Sequence, residues 1–216
     1  MSRESVALLT LTFVTGIVDA VSYLALGHVL TANMTGNVVF LGFAVAGAPG
    51  LSAARCGMSL AAFVAGAIVS GRLAGAMALR RRPWLYAAAG CEAMLLGLAA
   101  LLSLSEAKTY TMIAVTAFAM GFRTGTIRRL AVPDLSTTAL TTTLAAVAPD
   151  SFIAGGPDRM PGRRGGAIVC MFAGAAAGAL LLCAGVALPL LVGAALSLAA
   201  TLYGVGRRPP RVGAAC

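Results

Sequence analysis

From residue 166 to residue 204 the chain carries no charged side chain. One helix of that length would be about twice as long as the roughly 30 Å hydrocarbon layer of a bilayer. The run therefore folds back, and Pro189 is the expected turn, because proline breaks a helix interior. Four further apolar runs, 7–27, 57–79, 85–104 and 109–127, are each long enough to cross once. With 59% hydrophobic and 11% charged residues and a mean hydropathy of +0.92, a soluble fold lacks the polar surface to cover its outside. The chain reads as an all-α integral membrane protein. The opening "MSRESV" has one arginine and leads into a run long enough to span, so it reads as the start of a span and not as a cleavable leader.

Two apolar segments are too short to cross: 38–48, after the polar stretch "LTANMTGN" (30–37), and the threonine-rich 136–148. The first would form a helix of about 16 Å, half a bilayer. The basic residues decide how the short segments run. If both enter and return on one side, with the N-terminus inside, then Arg3, Arg80, Arg81, Arg82, Arg128, Arg129, Arg159, Arg163, Arg164, Arg207, Arg208 and Arg211 are cytoplasmic. Only Arg55 and Lys108 fall outside, while Arg72 and Arg123 lie within spans. Full crossings would put the Arg80 to Arg82 cluster outside, against the positive-inside rule. The expected fold is six transmembrane helices plus two short re-entrant half-helices, with both termini cytoplasmic.

Three crossings per half invert the second half relative to the first, and the halves look related. "TFVTGIVDA" (12–20) aligns with "AFAMGFRTG" (117–125) at an offset of 105, and Pro83 falls opposite Pro189 at 106. An inverted 3+3 repeat follows, with repeats 1–108 and 109–206 and a basic cytoplasmic tail 207–216, forming one integrated membrane domain.

Polar residues inside the spans are the candidate site. The half-helix is expected to begin near Gly36 and Asn37, capped by Thr35, with Asn33 beside it. Unpaired N–H groups there must meet protein, water or a ligand. Thr138, Thr141 and Thr143 would oppose them from the second half. Asp19 lies within the first span, where a carboxylate must be protonated, paired or facing a polar cavity; the half-helix start and the pair Arg123 and Thr124 are its candidate partners. Arg123 is also near enough to a cytoplasmic helix end to snorkel. Arg72 and Glu92 sit at equal depth across the turn near Arg80, which suggests a structural ion pair stitching that hairpin. Gly71-x-x-x-Gly75 and Gly174-x-x-x-Gly178 offer close helix packing, within the monomer first and in a homo-oligomer second.

Other classes find little support. The formal charge of +9 sits at the ends of apolar runs and not on a basic face interleaved with aromatics, so no nucleic-acid partner is expected. The five cysteines have no metal-like spacing, there is one histidine, and no nucleophile–base or phosphate-cradling motif occurs. No catalysis, cofactor or metal is expected. The segments "GIVDAVSYLALGHVLTANMTGNVVFLG" (16–42) and "RRLAVPDLSTTALTTTLAAVAPDS" (128–151) resemble the YoaK-like family of small bacterial membrane proteins of unknown function. The resemblance runs over nearly the whole chain, and it implies a multi-spanning protein of the bacterial inner membrane. By position it carries over Asp19, Asn33, Thr35, Gly36 and Asn37, then Arg128, Arg129 and the threonines of 137–143. The expected function is a small-solute transporter or channel with a midplane site. The alternative is a non-transporting scaffold acting through its glycine-rich helix faces.

Overall fold

The computed structural model describes residues 3–76, 81–105, 109–129 and 161–205. The threonine-rich segment 136–148, with Thr138, Thr141 and Thr143, and the tail 207–216 lie outside the described residues. The described chain is helical throughout: α1 (Arg3–Ala25), α2 (Met34–Val45), α3 (Ala53–Ala76), α4 (Arg81–Leu102), α5 (Thr109–Arg129), α6 (Pro161–Leu181) and α7 (Ala187–Val205). Five of these, α1, α3, α4, α6 and α7, are long and apolar enough to cross a membrane. At 21 residues α5 is about 31 Å long, but its threonines and Arg123 dilute its hydropathy. Its polar side chains Thr116, Arg123 and Thr126 are turned into the protein.

The turn in the long apolar run is not at Pro189. A short 3-10 segment, Leu182–Ala184, ends at Gly185, whose φ of 109° only glycine adopts readily. Pro189 instead occupies the first turn of α7, where its missing N–H has no helical acceptor to lose. Pro83 holds the same third position in α4. The start of α2 also differs from expectation: it begins at Met34, with Asn33 at the N-cap position, and not at Gly36 or Asn37.

Helix α1 is the hub, with 78% of its spanning window buried against 17–33% for the other four. It packs against α6 and α7, while α5 packs against α3 and α4, and α4 meets α7. The first half is thus threaded through the second and does not stand beside it. Two crossings bring backbones into direct contact. A Cβ on Gly121 would strike the carbonyl of Phe63, one on Gly66 the carbonyl of Phe118, and one on Gly125 the carbonyl of Ala67; since 63 meets 121 and 67 meets 125, α5 and α3 run parallel at touching distance. Likewise a Cβ on Gly174 would strike the carbonyl of Phe13, one on Gly16 that of Met171, and one on Gly178 that of Ile17; since 13 meets 174 and 17 meets 178, α1 and α6 are joined in parallel. Glycine at such points permits the close approach typical of membrane helices.

These contacts fix which helix ends share a face. Arg55, near the start of α3, lies against Gly27 just beyond the end of α1, and its guanidinium is 6.0 Å from the ring centroid of Tyr110 at the start of α5. At the other end Ile127 of α5 packs with Leu8 and Leu11 of α1 and Ala200 of α7, and Gly166 of α6 faces Leu9. So α1 ends, and α3 and α5 begin, at one end of the bundle; α5 ends and α6 begins at the other.

If backbone contact at the glycines sets the packing, Gly121→Ala should lower stability by about 1–3 kcal/mol through overpacking. Gly90→Ala, whose Cβ would meet nothing within 4 Å, should be neutral or slightly stabilising. Thermal unfolding of the detergent-solubilised protein would separate the two.

Candidate functional site

Two polar clusters occupy the interior. The first is built on the loop between α1 and α2. After Ser22 the chain leaves the helix through Gly27 and His28, both at positive φ, and doubles back along α1. The returning backbone is irregular and buried at Val29, Thr31 and Ala32, so its N–H groups need partners other than water. Asp19 supplies them. Its Oδ1 accepts from the backbone N–H of Thr31 at 3.1 Å and of Ala32 at 2.9 Å, and its Oδ2 accepts from the side-chain amide of Asn33. Six residues separate Asp19 from the end of α1, so α2 begins about 9 Å below that end.

Asn37, fully buried, completes the arrangement from the first turn of α2. Its Oδ1 accepts from the N–H of Leu30 at 2.8 Å, and its Nδ2 donates to the carbonyl of Leu30 and to Ser59 Oγ at 3.0 Å. Ser59 of α3 donates to the same carbonyl at 2.7 Å. Residues 30–33 are therefore gripped from α1, α2 and α3. Gly36 leaves room for Leu30 beside it.

The second cluster joins four helices. Arg123 of α5 donates through Nη1 to Glu92 Oε1 of α4 at 3.0 Å and through Nη2 to Thr15 Oγ1 of α1. Ser197 of α7 donates to the same Glu92 oxygen at 2.8 Å. Thr15 can accept because its own hydroxyl hydrogen is used on the Leu11 carbonyl at 2.9 Å. Arg123 and Glu92 are each 4% exposed at the side chain. Such a pair gains little over an apolar replacement, but losing one member strands the other charge in a low dielectric.

The expected ion pair between Arg72 and Glu92 is not formed: Glu92 binds Arg123, and Arg72 is exposed. Equal depth across a hairpin was the wrong criterion, because α4 packs against α5 and α7, with α5 between it and α3. Arg123 does not snorkel; it turns inward. Thr35 is exposed and makes no capping bond. Asp19, Asn33 and Asn37 come together, whereas Thr124 is half-buried outside both clusters. Thr15, Ser59 and Ser197 were not singled out from sequence. Thr15 stands four residues before Asp19, one helical turn away, and Ser197 lies 105 residues after Glu92, the offset at which 12–20 aligns with 117–125, so both left a trace.

A family described as proteins of unknown function, DUF1275, matches residues 7–203. The chain belongs to this family. It is 35% identical over 138 residues to the UPF0700 transmembrane protein YoaK of Bacillus subtilis (strain 168), an alignment covering 62% of this chain and 61% of that protein. The chain thus spans less than two thirds of that relative's length. No solved structure matches. The chain is a multi-pass membrane protein of a family without an assigned activity, and its chemistry has to be read from the two clusters. Among the described residues no group of His, Cys, Asp or Glu is placed to hold a metal ion, and Cys56, Cys91, Cys170 and Cys183 are free thiols.

Glu92→Leu should destabilise the protein by about 3–5 kcal/mol, and the double change with Arg123→Met should recover most of that loss. Arg72→Ala should be nearly silent. Asp19→Ala should free two buried N–H groups at about 1–3 kcal/mol each. Thermal unfolding in detergent reads all three, and equal losses for Glu92→Leu and the double variant would refute the pairing.

Proposed function

We propose that this chain is a bacterial inner-membrane transporter or channel for a small solute, built as an inverted 3+3 repeat with two re-entrant half-helices and both termini cytoplasmic. In this reading α5 is the sixth span, since its polar side chains face inward and its length matches the bilayer.

The observation that carries the proposal is that exchanging the halves maps the main contacts among the six long helices onto one another. Replacing α1 by α5, α3 by α6 and α4 by α7 turns the α3–α5 crossing into the α6–α1 crossing, turns α4–α5 into α7–α1, and maps α4–α7 onto itself. The exchange holds at single residues: Gly16 and Phe13 correspond to Gly121 and Phe118 at an offset of 105, and Gly66 and Phe63 to Gly174 and Met171 at 108. The corresponding helices run in opposite directions, as inversion requires. Re-entry of the first short helix is supported because α1 ends and α3 begins on one face, while α2 starts about 9 Å inside it. For 136–148 the support is that α5 ends and α6 begins together on the opposite face. An inverted repeat with interrupted helices and buried charges at its centre is a recurrent plan of solute transporters.

Topology and transport are tested separately. In a cysteine-free background, His28→Cys and Gly50→Cys should both react with a membrane-impermeant maleimide added from outside; labelling from opposite sides would sink the re-entrant arrangement. Vesicles reconstituted with the protein should equilibrate small solutes faster than protein-free vesicles. A protein that shows no flux but co-purifies with a stable partner would support the scaffold reading instead.

A further inference from the structure

The charge inventory of the interior points to the class of solute. Away from helix ends, the described helices carry four charged residues: Asp19, Arg72, Glu92 and Arg123. Arg72 is exposed. Arg123 and Glu92 neutralise one another. Both oxygens of Asp19 are occupied by N–H donors from residues 31–33, and the positive end of α2 starts beside them. The sequence of 136–148 adds no charge. An ion entering this centre would shed its hydration shell and find no uncommitted counter-charge among the described residues.

On α5, beside the Arg123–Glu92 pair, two polar atoms nevertheless remain open. Arg123 Nε and Thr126 Oγ1 are buried without hydrogen-bond partners, in residues only 4% and 3% exposed. They lie one turn apart on α5 and so occupy neighbouring positions on its surface. A guanidinium N–H and a hydroxyl are suited to a carbonyl or hydroxyl oxygen. An anion would also suit the N–H, but it would meet Glu92, which already holds the far side of the same guanidinium. Arg123 is moreover the hydrogen-bonded link between α1 and α5, whose backbones otherwise scarcely touch.

We infer that the solute is a neutral polar molecule, and that it takes Arg123 Nε and Thr126 Oγ1 on α5, beside the Arg123–Glu92 pair. The inference rests on the transport reading and deepens it. Any bond the solute makes to Arg123 leaves the Glu92 pair intact, so the centre stays neutral while occupied.

The test uses full-length protein in phosphatidylethanolamine–phosphatidylglycerol vesicles. Stopped-flow light scattering follows entry of urea and glycerol, and voltage- and pH-sensitive dyes follow potassium, chloride and proton movement. At least one neutral probe should enter about tenfold faster than into protein-free vesicles, with no gain in ion movement. Thr126→Val should reduce that entry while leaving the unfolding temperature unchanged. Glu92→Gln, which strands the Arg123 charge, should add chloride permeability; the charge-balanced pair Arg123→Gln with Glu92→Gln should not, and it remains informative if the single variant does not fold. Ion movement in the wild type matching that of neutral solutes would overturn the inference while leaving transport standing. Absence of all flux would overturn the transport reading itself. Chloride entry through the balanced double variant would show that charge pairing is not the filter.

Discussion

A chain that doubles back among membrane helices must supply, from its own side chains, the hydrogen bonds that an irregular backbone elsewhere takes from water. Asp19 meets that requirement here, and much of the first half is arranged around it. Its carboxylate accepts from residues 31, 32 and 33, which fixes how far the loop after α1 descends and where α2 starts. Asn37 and Ser59 then hold Leu30 from the other side. The result is a short helix whose first turn is tied into three helices. The rest of it exposes Val38, Val39, Phe43 and Val45, as suits a lipid-facing surface.

A second constraint comes from volume. The α1–α6 and α3–α5 crossings depend on glycine because carbonyl oxygens occupy the space where a side chain would begin. In lipid, burying apolar surface gives little drive for helix association, so close backbone packing carries more of the energy. These two contacts serve as paired fulcrums, and the four helices α1, α4, α5 and α7 converge between them on Arg123 and Glu92. The pair lies where the helices of the two halves come together. Its members do not fall opposite one another in sequence: at the offset of 105 that separates Gly16 from Gly121, Arg123 aligns with Val18 and Glu92 with Ser197.

Much of this was legible in the sequence for physical reasons. Length and hydropathy located the helices, since hydrocarbon thickness leaves little freedom, although most starts lay four or five residues earlier because polar first turns remain helical. The offset of 105 was readable through Gly16 and Gly121, whose identity is enforced by contact with another backbone. Asp19, Asn33 and Asn37 were readable because polar atoms in an apolar run must be satisfied nearby. What failed was information about which helix faces which. Glu92 was assigned to Arg72 on depth alone, and depth does not reveal that α5 separates their helices. Pro189 was read as a breaker, although a proline three residues into a helix breaks nothing; Gly185, one of many glycines, carried no distinguishing mark.

The threading of one half through the other has a consequence for biogenesis. Helix α1 leaves the ribosome before α6 and α7, the helices that bury it. Throughout synthesis its buried polar side chains Thr12, Thr15, Asp19 and Ser22 lack the neighbours that will enclose them. Asp19 can be satisfied as soon as residues 31–33 emerge, and Thr12, Thr15 and Ser22 each bond a carbonyl of their own helix. Helix α1 therefore carries local hydrogen bonding that lets it wait in lipid until its distant partners arrive.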